Sequence, residues 1–225
     1  MAAPAKRTIE LFYDVASPYS WIGFETLCRY SDKWNLDLKL RPFFLAGIMK
    51  GSDNPGLMVT PNKIKYMMSD LNRLRKYHKI PIKFPSDPAQ TFAVKGTMQA
   101  CRLLTATSMY EKDALENVSR QLWLRIWSRD EDISEPASLI EAMRAAGLTD
   151  GTAQNLVSKI KDQEVKDKLK ERTETALKHG AFGSPTILVH DSDKKHMFFG
   201  SDRFHVIASL IGETYEGPLT EMSEV

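Results

Sequence analysis

"DVASPYSWIGFE", residues 14–25, decides how the rest of the chain reads. In front of it, "TIELFYD" (8–14) is apolar and rich in β-formers, the pattern of a buried strand. Behind it, Trp21, Phe24, Leu27, Cys28 and Tyr30 recur at helical spacing. Ser17 suits the N-cap of that helix and Pro18 its first position. Next, "LDLKLRPFF" alternates Leu36, Leu38 and Leu40 as a second strand. The first 45 residues therefore predict a β-α-β unit, with parallel strands and a right-handed crossover.

A polar stretch bearing glycine and proline follows, "GIMKGSDNPGLMVTPNK" (47–63), and reads as a loop. From Ile64 to His179 the signals are almost all helical. Leu115, Val118, Leu122 and Ile126 form one stripe, widened by Trp123 and Trp127. Ser134 is the expected cap of "EPASLIEAMRAAG", with Gly147 as its stop. "DQEVKDKLKERTETALKHG" reads as a helix with a solvated, charge-paired face. After Gly180, "TILVH", "DSDKK" and "HMFFG" predict a β-hairpin, and "SDRFHVIASLIGE" a last helix. The order is β-α-β, a helical block, then β-β-α. The expected fold is α/β, its α/β part made of 1–63 and 180–225, with an all-α domain, 64–179, inserted in it.

The 225 residues carry 31 Lys and Arg against 29 Asp and Glu, a net charge of +2. That balance predicts no nucleic-acid partner, and no apolar run reaches the length of a membrane span. Two cysteines, Cys28 and Cys101, do not make a disulfide scaffold or a zinc site and suit a reducing compartment. "MAAPAKR" ahead of the first strand is too short for a cleaved signal of normal length. His190 and His196 flank a hairpin turn without a third ligand, so no metal is expected. Cys28 falls on the apolar face of the first helix, as a core residue would.

Ser17 stands where unpaired N–H groups and the positive end of a helix dipole favour an anion. On spacing alone, a cap role is the better account of it. It lacks a nearby base and a Gly-x-Ser-x-Gly elbow, so it is read as a hydrogen-bond donor rather than a nucleophile. A thiolate is the ligand that this position suits, since helix N-termini lower thiol pKa values.

"ELFYDVASPYSW", "RPFF", "AGIMK", "GAFGSPT" and "FFGSDR", together with "LW.R.WSR..DI.EP" (dots marking unmatched positions), resemble the kappa-class glutathione transferases in the same order from Ile9 to Gly217. The resemblance implies a thioredoxin-like domain with an inserted helical domain, related to disulfide-forming oxidoreductases and hydroxychromene-carboxylate isomerases. It implies that Ser17 is catalytic and hydrogen-bonds the sulfur of glutathione, a co-substrate rather than a cofactor. Pro18 and Tyr19 flank that contact. Ser184 and Pro185 would form the cis-proline loop, the backbone of Ser184 pairing with the cysteinyl part. An apolar residue is common at that position in the family, so Ser184 is a departure. Ser201 and Asp202, opening the last helix, would hold the γ-glutamyl end; Asn54 and Lys63 would reach the glutathione backbone and glycine carboxylate. With serine at position 20 no resolving cysteine exists. The implied activity is conjugation to electrophiles such as aryl halides, with peroxide reduction beside it. The alternatives are a glutathione-dependent isomerase and a non-catalytic assembly or binding factor.

The same resemblance implies a homodimer and a mitochondrial matrix location, with the peroxisome as second choice. Ile48, Met49, Leu57, Met58 and Val59, apolar residues in a polar loop, give the dimer physical support as a surface to be covered.

Overall fold

A computed structural model describes residues 6–56 and 60–219. Strand β1 (Arg7–Tyr13) leads into helix α1 (Pro18–Tyr30) and strand β2 (Leu36–Pro42). Six helices follow: α2 (Leu45–Gly51), α3 (Pro61–Tyr77), α4 (Met98–Tyr110), α5 (Leu115–Leu124), α6 (Pro136–Ala145) and α7 (Asp150–Lys159). Helix α8 (Gln163–Lys178) returns the chain to β3 (Thr186–Asp191), β4 (Lys194–Phe199) and α9 (Phe204–Ile211). The sheet order is β2-β1-β3-β4. β1 runs parallel to β2 and antiparallel to β3, which pairs antiparallel with β4.

The two-residue period of β1 divides the core. Ile9, Leu11 and Tyr13 enter one large cluster with α1, α9 and the helical block. Phe12 faces the other side, where it meets Phe43, Ile48, Ala176, Ala181 and Leu188. The helical block is packed directly onto the α/β part: Trp123 of α5 lies parallel to Trp21 of α1, ring centroids 6.3 Å apart.

Three expectations change. The stretch 47–63 is not all loop, because α2 occupies its start. Its glycines, which suggested a turn, serve close packing on α8. A Cβ on Gly51 would lie 2.6 Å from Leu177, and one on Gly47 3.1 Å from Thr173. Ile48 is fully buried within the chain's own core, so a partner is not needed to cover it. Leu57, Met58 and Val59 lie outside the described residues. Helix α6 is not capped by Ser134. Pro136 is its first residue, and Asp132 accepts the Ser134 and Glu135 N–H groups at 2.8 and 2.7 Å. The charge-rich helix α8 does have the expected solvated, charge-paired face, with Lys168–Glu171 and Lys170–Glu174, and it has a buried face besides. It buries Val165, Leu169, Thr173 and Ala176 at helical spacing, and Arg172 with them. Arg172 donates to Ser108 Oγ at 2.7 Å, and burial followed by the nearby Arg41 charge brings its pKa down to about 10.

Glu10, on the Phe12 side of β1, collects Arg41 (2.8 Å), His190 (2.8 Å) and Lys195 (3.5 Å) across three strands. Burial alone would raise its pKa, but Arg41, His190 and Lys195 together hold it below the usual glutamate value. A carboxyl depressed on folding contributes stability above the unfolded pKa and loses it as pH falls through the folded one. Urea unfolding of Glu10→Gln is expected to show a loss of about 1 kcal/mol at pH 7 and a flatter stability profile below pH 4.5. An unchanged acid limb would contradict this account of Glu10.

Candidate active site

The turn between β1 and α1 is built around Asp14. Its Oδ1 accepts the Ala16 N–H at 2.9 Å, and its backbone carbonyl accepts the Ser17 N–H at 3.0 Å. Its Oδ2 reaches outward to the Leu45 N–H at 2.9 Å and the Thr97 hydroxyl at 3.1 Å. One buried carboxyl thus joins the turn to the starts of α2 and α4. Burial raises its pKa, against the pull of those donors. From the helical block, Trp127 Nε1 donates to Val15 O at 2.9 Å and Trp123 Nε1 to Ser17 O at 3.2 Å.

Held in this way, Ser17 adopts an extended conformation and caps α1: the Ser20 N–H donates to Ser17 Oγ at 3.1 Å, and Pro18 is the first helical residue. The Ser17 hydroxyl donates in turn to Ser184 O at 3.1 Å. The Ser184–Pro185 peptide bond is cis, as expected. Ser184 contributes its side chain as well as its backbone. Its hydroxyl lies 2.6 Å from Ser20 Oγ and accepts the Asp14 N–H at 3.3 Å. Ser17, Ser20 and Ser184 thus form one hydroxyl cluster at the N-terminus of α1. Ser20 is fully buried, whereas Ser17 is 6% exposed and Ser184 half-buried, so Ser17 and Ser184 are the members that offer an edge to a ligand. A hydroxyl has one proton. An anion arriving there accepts it only if the O–H turns away from Ser184 O.

Pro185 and Ser201 both lie against Gly23 of α1, where a Cβ would be in ordinary contact at 3.4 Å and 3.7 Å. Pro185 O accepts the Gly200 N–H at 3.0 Å, which brings Ser201 beside the proline. Ser201 and Asp202 do not open the last helix, since α9 starts at Phe204 with Arg203 before it. Ser201 is nearly buried, whereas Asp202 is exposed and ion-paired with Arg203. Asn54 bridges two loops: its Nδ2 donates to Phe182 O at 2.6 Å and its Oδ1 accepts the Gly56 N–H at 2.9 Å. Phe182, just before this loop, is half exposed and packs on Phe199, centroids 4.4 Å apart. Tyr19 donates to Asp70 Oδ2 of α3 at 3.0 Å. Lys63 stands exposed in the first turn of α3, and among the described residues its ammonium has no carboxylate partner.

Asp14, Thr97, Asp70 and the donor roles of Trp123 and Trp127 escape a reading of the sequence. Their partners lie tens of residues away, and no local spacing announces them. Of the two thiols, Cys101 lies against the Asp14 carboxyl behind the turn, and Cys28 on helix α1. Burial raises the pKa of both Cys28 and Cys101, helped for Cys28 by Glu116 and Glu25 and for Cys101 by Asp14, so neither is an activated thiol. Cys28 is only half-buried, packed against the core. Among the described residues no group of three or more His, Cys, Asp or Glu could hold a metal ion.

Comparison with known proteins agrees with this geometry. Residues 8–212 match the DSBA-like thioredoxin domain. Over 218 residues the chain is 50% identical to human glutathione S-transferase kappa 1, covering 96% of each chain. Identity to the rat (Rattus norvegicus) glutathione S-transferase kappa 1 is 49% over 216 residues, again 96% of each. A solved structure of 2-hydroxychromene-2-carboxylate isomerase shares the fold, with a TM-score of 0.72 and 20% identity over 91% of this chain and 94% of that one. With a DSBA-like thioredoxin match over residues 8–212 and about 50% identity to two kappa-class enzymes over nearly the whole chain, the protein belongs to the kappa-class glutathione S-transferases.

Proposed function

We propose that the protein binds glutathione across the N-terminus of α1 and conjugates it, as thiolate, to small electrophiles. The observation that carries this reading is the Ser17 hydroxyl, held at a helix N-terminus opposite the cis Ser184–Pro185 bond. In the proposed complex the cysteinyl part runs along the Ser184 backbone as an added strand. The γ-glutamyl end meets Ser201 and Asp202, Asn54 holds the tripeptide backbone, and Lys63 takes the glycine carboxylate. Pro18 and Tyr19 form the wall beside the sulfur.

The chemistry follows from one hydrogen bond and one dipole. A thiol with an ordinary pKa of about 8.5 is a few per cent ionised at pH 7. A charge-assisted bond from Ser17 together with the helix N-terminus lowers that pKa; two units correspond to about 2.7 kcal/mol. The thiol proton leaves to solvent, the sulfur forms a bond to an aryl carbon, and the halide departs with the C–X electron pair. Attack on a peroxide oxygen uses the same thiolate, gives a sulfenic acid and an alcohol, and requires a second glutathione to form the disulfide and water.

The fold likeness to 2-hydroxychromene-2-carboxylate isomerase favours a second reading, glutathione-dependent isomerisation, and assays with a chromene carboxylate and an aryl halide side by side separate the two. A third, a non-catalytic assembly or binding factor, requires that Ser17→Ala retain full biological function. Homodimerisation and a mitochondrial matrix location, with the peroxisome as alternative, are part of the proposal and rest on the family. Light scattering at micromolar concentration is expected to give twice the 25.5 kDa chain mass, and a monomer mass would reject the dimer. Cell fractionation that found only cytosolic protein would reject the compartment.

Ser17→Ala tests the central role. Calorimetry is expected to keep glutathione affinity within about tenfold, while conjugation near pH 7 falls by about ten- to a hundredfold, the worth of one charge-assisted bond. Unchanged turnover would remove Ser17 from the mechanism.

A further inference from the structure

The charge of this chain is close to balanced but unevenly placed. Between Pro61 and Lys83 seven cations stand against one carboxylate, a net +6 where the whole chain carries +2. That carboxylate, Asp70, already accepts the Tyr19 hydroxyl. Many cations elsewhere are ion-paired, as Arg120 is with Glu25, Lys95 with Asp132 and Lys168 with Glu171, whereas among the described residues no cation between Pro61 and Lys83 makes a salt bridge. Among the described residues Lys65, Arg73, Lys76, Lys79 and Lys83 have no carboxylate partner, and all five are exposed.

Helix α3 turns Met67 and Leu71 to the core and leaves its opposite face bare. Large apolar groups are exposed on its flanks: Tyr66 (64%) and Tyr77 (58%) on one side and Met68 (48%) on the other. Helix stability does not account for this arrangement. A cation in the last turn, such as Lys76, complements the helix dipole, but Lys65 near the start opposes it, and the first turn holds no acid. Nor is a second copy a suitable cover, since a two-fold axis would set like charge against like. Nucleic acid fits less well. Four of the five free cations are lysines, which act as point charges, and the guanidinium of Arg75 is hydrogen-bonded to Ile82 O at 3.0 Å. A convex helix about 25 Å long, with long flexible ammoniums around tyrosine and methionine, suits a planar anionic layer.

We propose that the exposed face of α3, continued through Lys79 to Lys83, docks on an anionic phospholipid bilayer. Tyr66 and Tyr77, together on one flank of that face, enter the headgroup layer, and the five cations meet lipid phosphates and carboxylates. The attachment is peripheral: among the described residues no helix is long and apolar enough to cross a membrane. The Tyr19–Asp70 bond sets this face beside the Ser17 turn, so the docked protein holds its site near the bilayer surface.

Flotation of the full chain with vesicles tests this directly. Wild-type protein is expected to float with phosphatidylcholine vesicles containing phosphatidylserine and to stay behind with pure phosphatidylcholine. Each basic residue near an anionic surface strengthens attachment by about fivefold, so Arg73→Gln, Lys76→Gln, Lys79→Gln and Lys83→Gln combined should weaken it by two to three orders of magnitude. Circular dichroism and thermal unfolding establish that this variant is folded. A control with Lys161→Gln, Lys166→Gln and Lys170→Gln, cations outside this face, should float like wild type. Wild-type protein that fails to float, a fourfold variant that floats equally well, or tighter binding of wild type to single-stranded RNA than to the vesicles would each overturn the proposal.

Discussion

The buried carboxyl of Asp14 is the constraint on which the site depends. It lies directly after β1, and its two oxygens accept donors from the turn itself, from the start of α2 and from the start of α4. A carboxyl at 1% exposure is costly unless its lone pairs are filled, and here the donors that fill them come from three separate segments. The cost of leaving any of them unpaired fixes the path of Val15 and Ala16. That path fixes Ser17. The indoles of Trp123 and Trp127 hold the same turn from the helical block, so the block positions the site although the serine lies outside it.

With the turn fixed, the chemistry available at Ser17 is narrow. The buried Ser20 and the Ser184 hydroxyl are committed to each other, and the Ser17 oxygen to the Ser20 N–H. What remains for a ligand is the Ser17 O–H, once turned from Ser184 O, one proton of the Ser20–Ser184 pair, and the end of a helix. All favour a negative atom, and none can accept a proton from a nucleophile as a base would. The site is therefore suited to stabilising an anion that the ligand supplies. A protein thiol is not available in its place, because the surroundings of Cys28 and Cys101 oppose ionisation, Cys101 lying against the Asp14 carboxyl itself.

Much of this was legible in the sequence where the signal was local. The strand, the Ser17 cap and Pro18 announced the junction within a few residues, whereas the cis-proline loop at "GSP" was implied only by the family resemblance. Local signals misled where a residue served distant packing. Gly47 and Gly51 suggested a turn, yet they admit Thr173 and Leu177 of a helix more than a hundred residues later. Ser201 and Asp202 suggested a helix cap, but the helix begins two residues beyond them, and Ser201 is set by its place beside Pro185. The role of Asp14 was not legible because its partners at positions 45 and 97 meet it only once the helical block has closed over the turn.

Ultraviolet titration of the thiolate band of glutathione bound to the wild-type protein and to Ser17→Ala is the most direct measurement of the central claim. The account predicts a bound thiol pKa about two units below its ordinary value of about 8.5 in the wild type, and a rise of at least about one unit when the hydroxyl is removed. A bound thiol that titrates at the same pH in both proteins would contradict it.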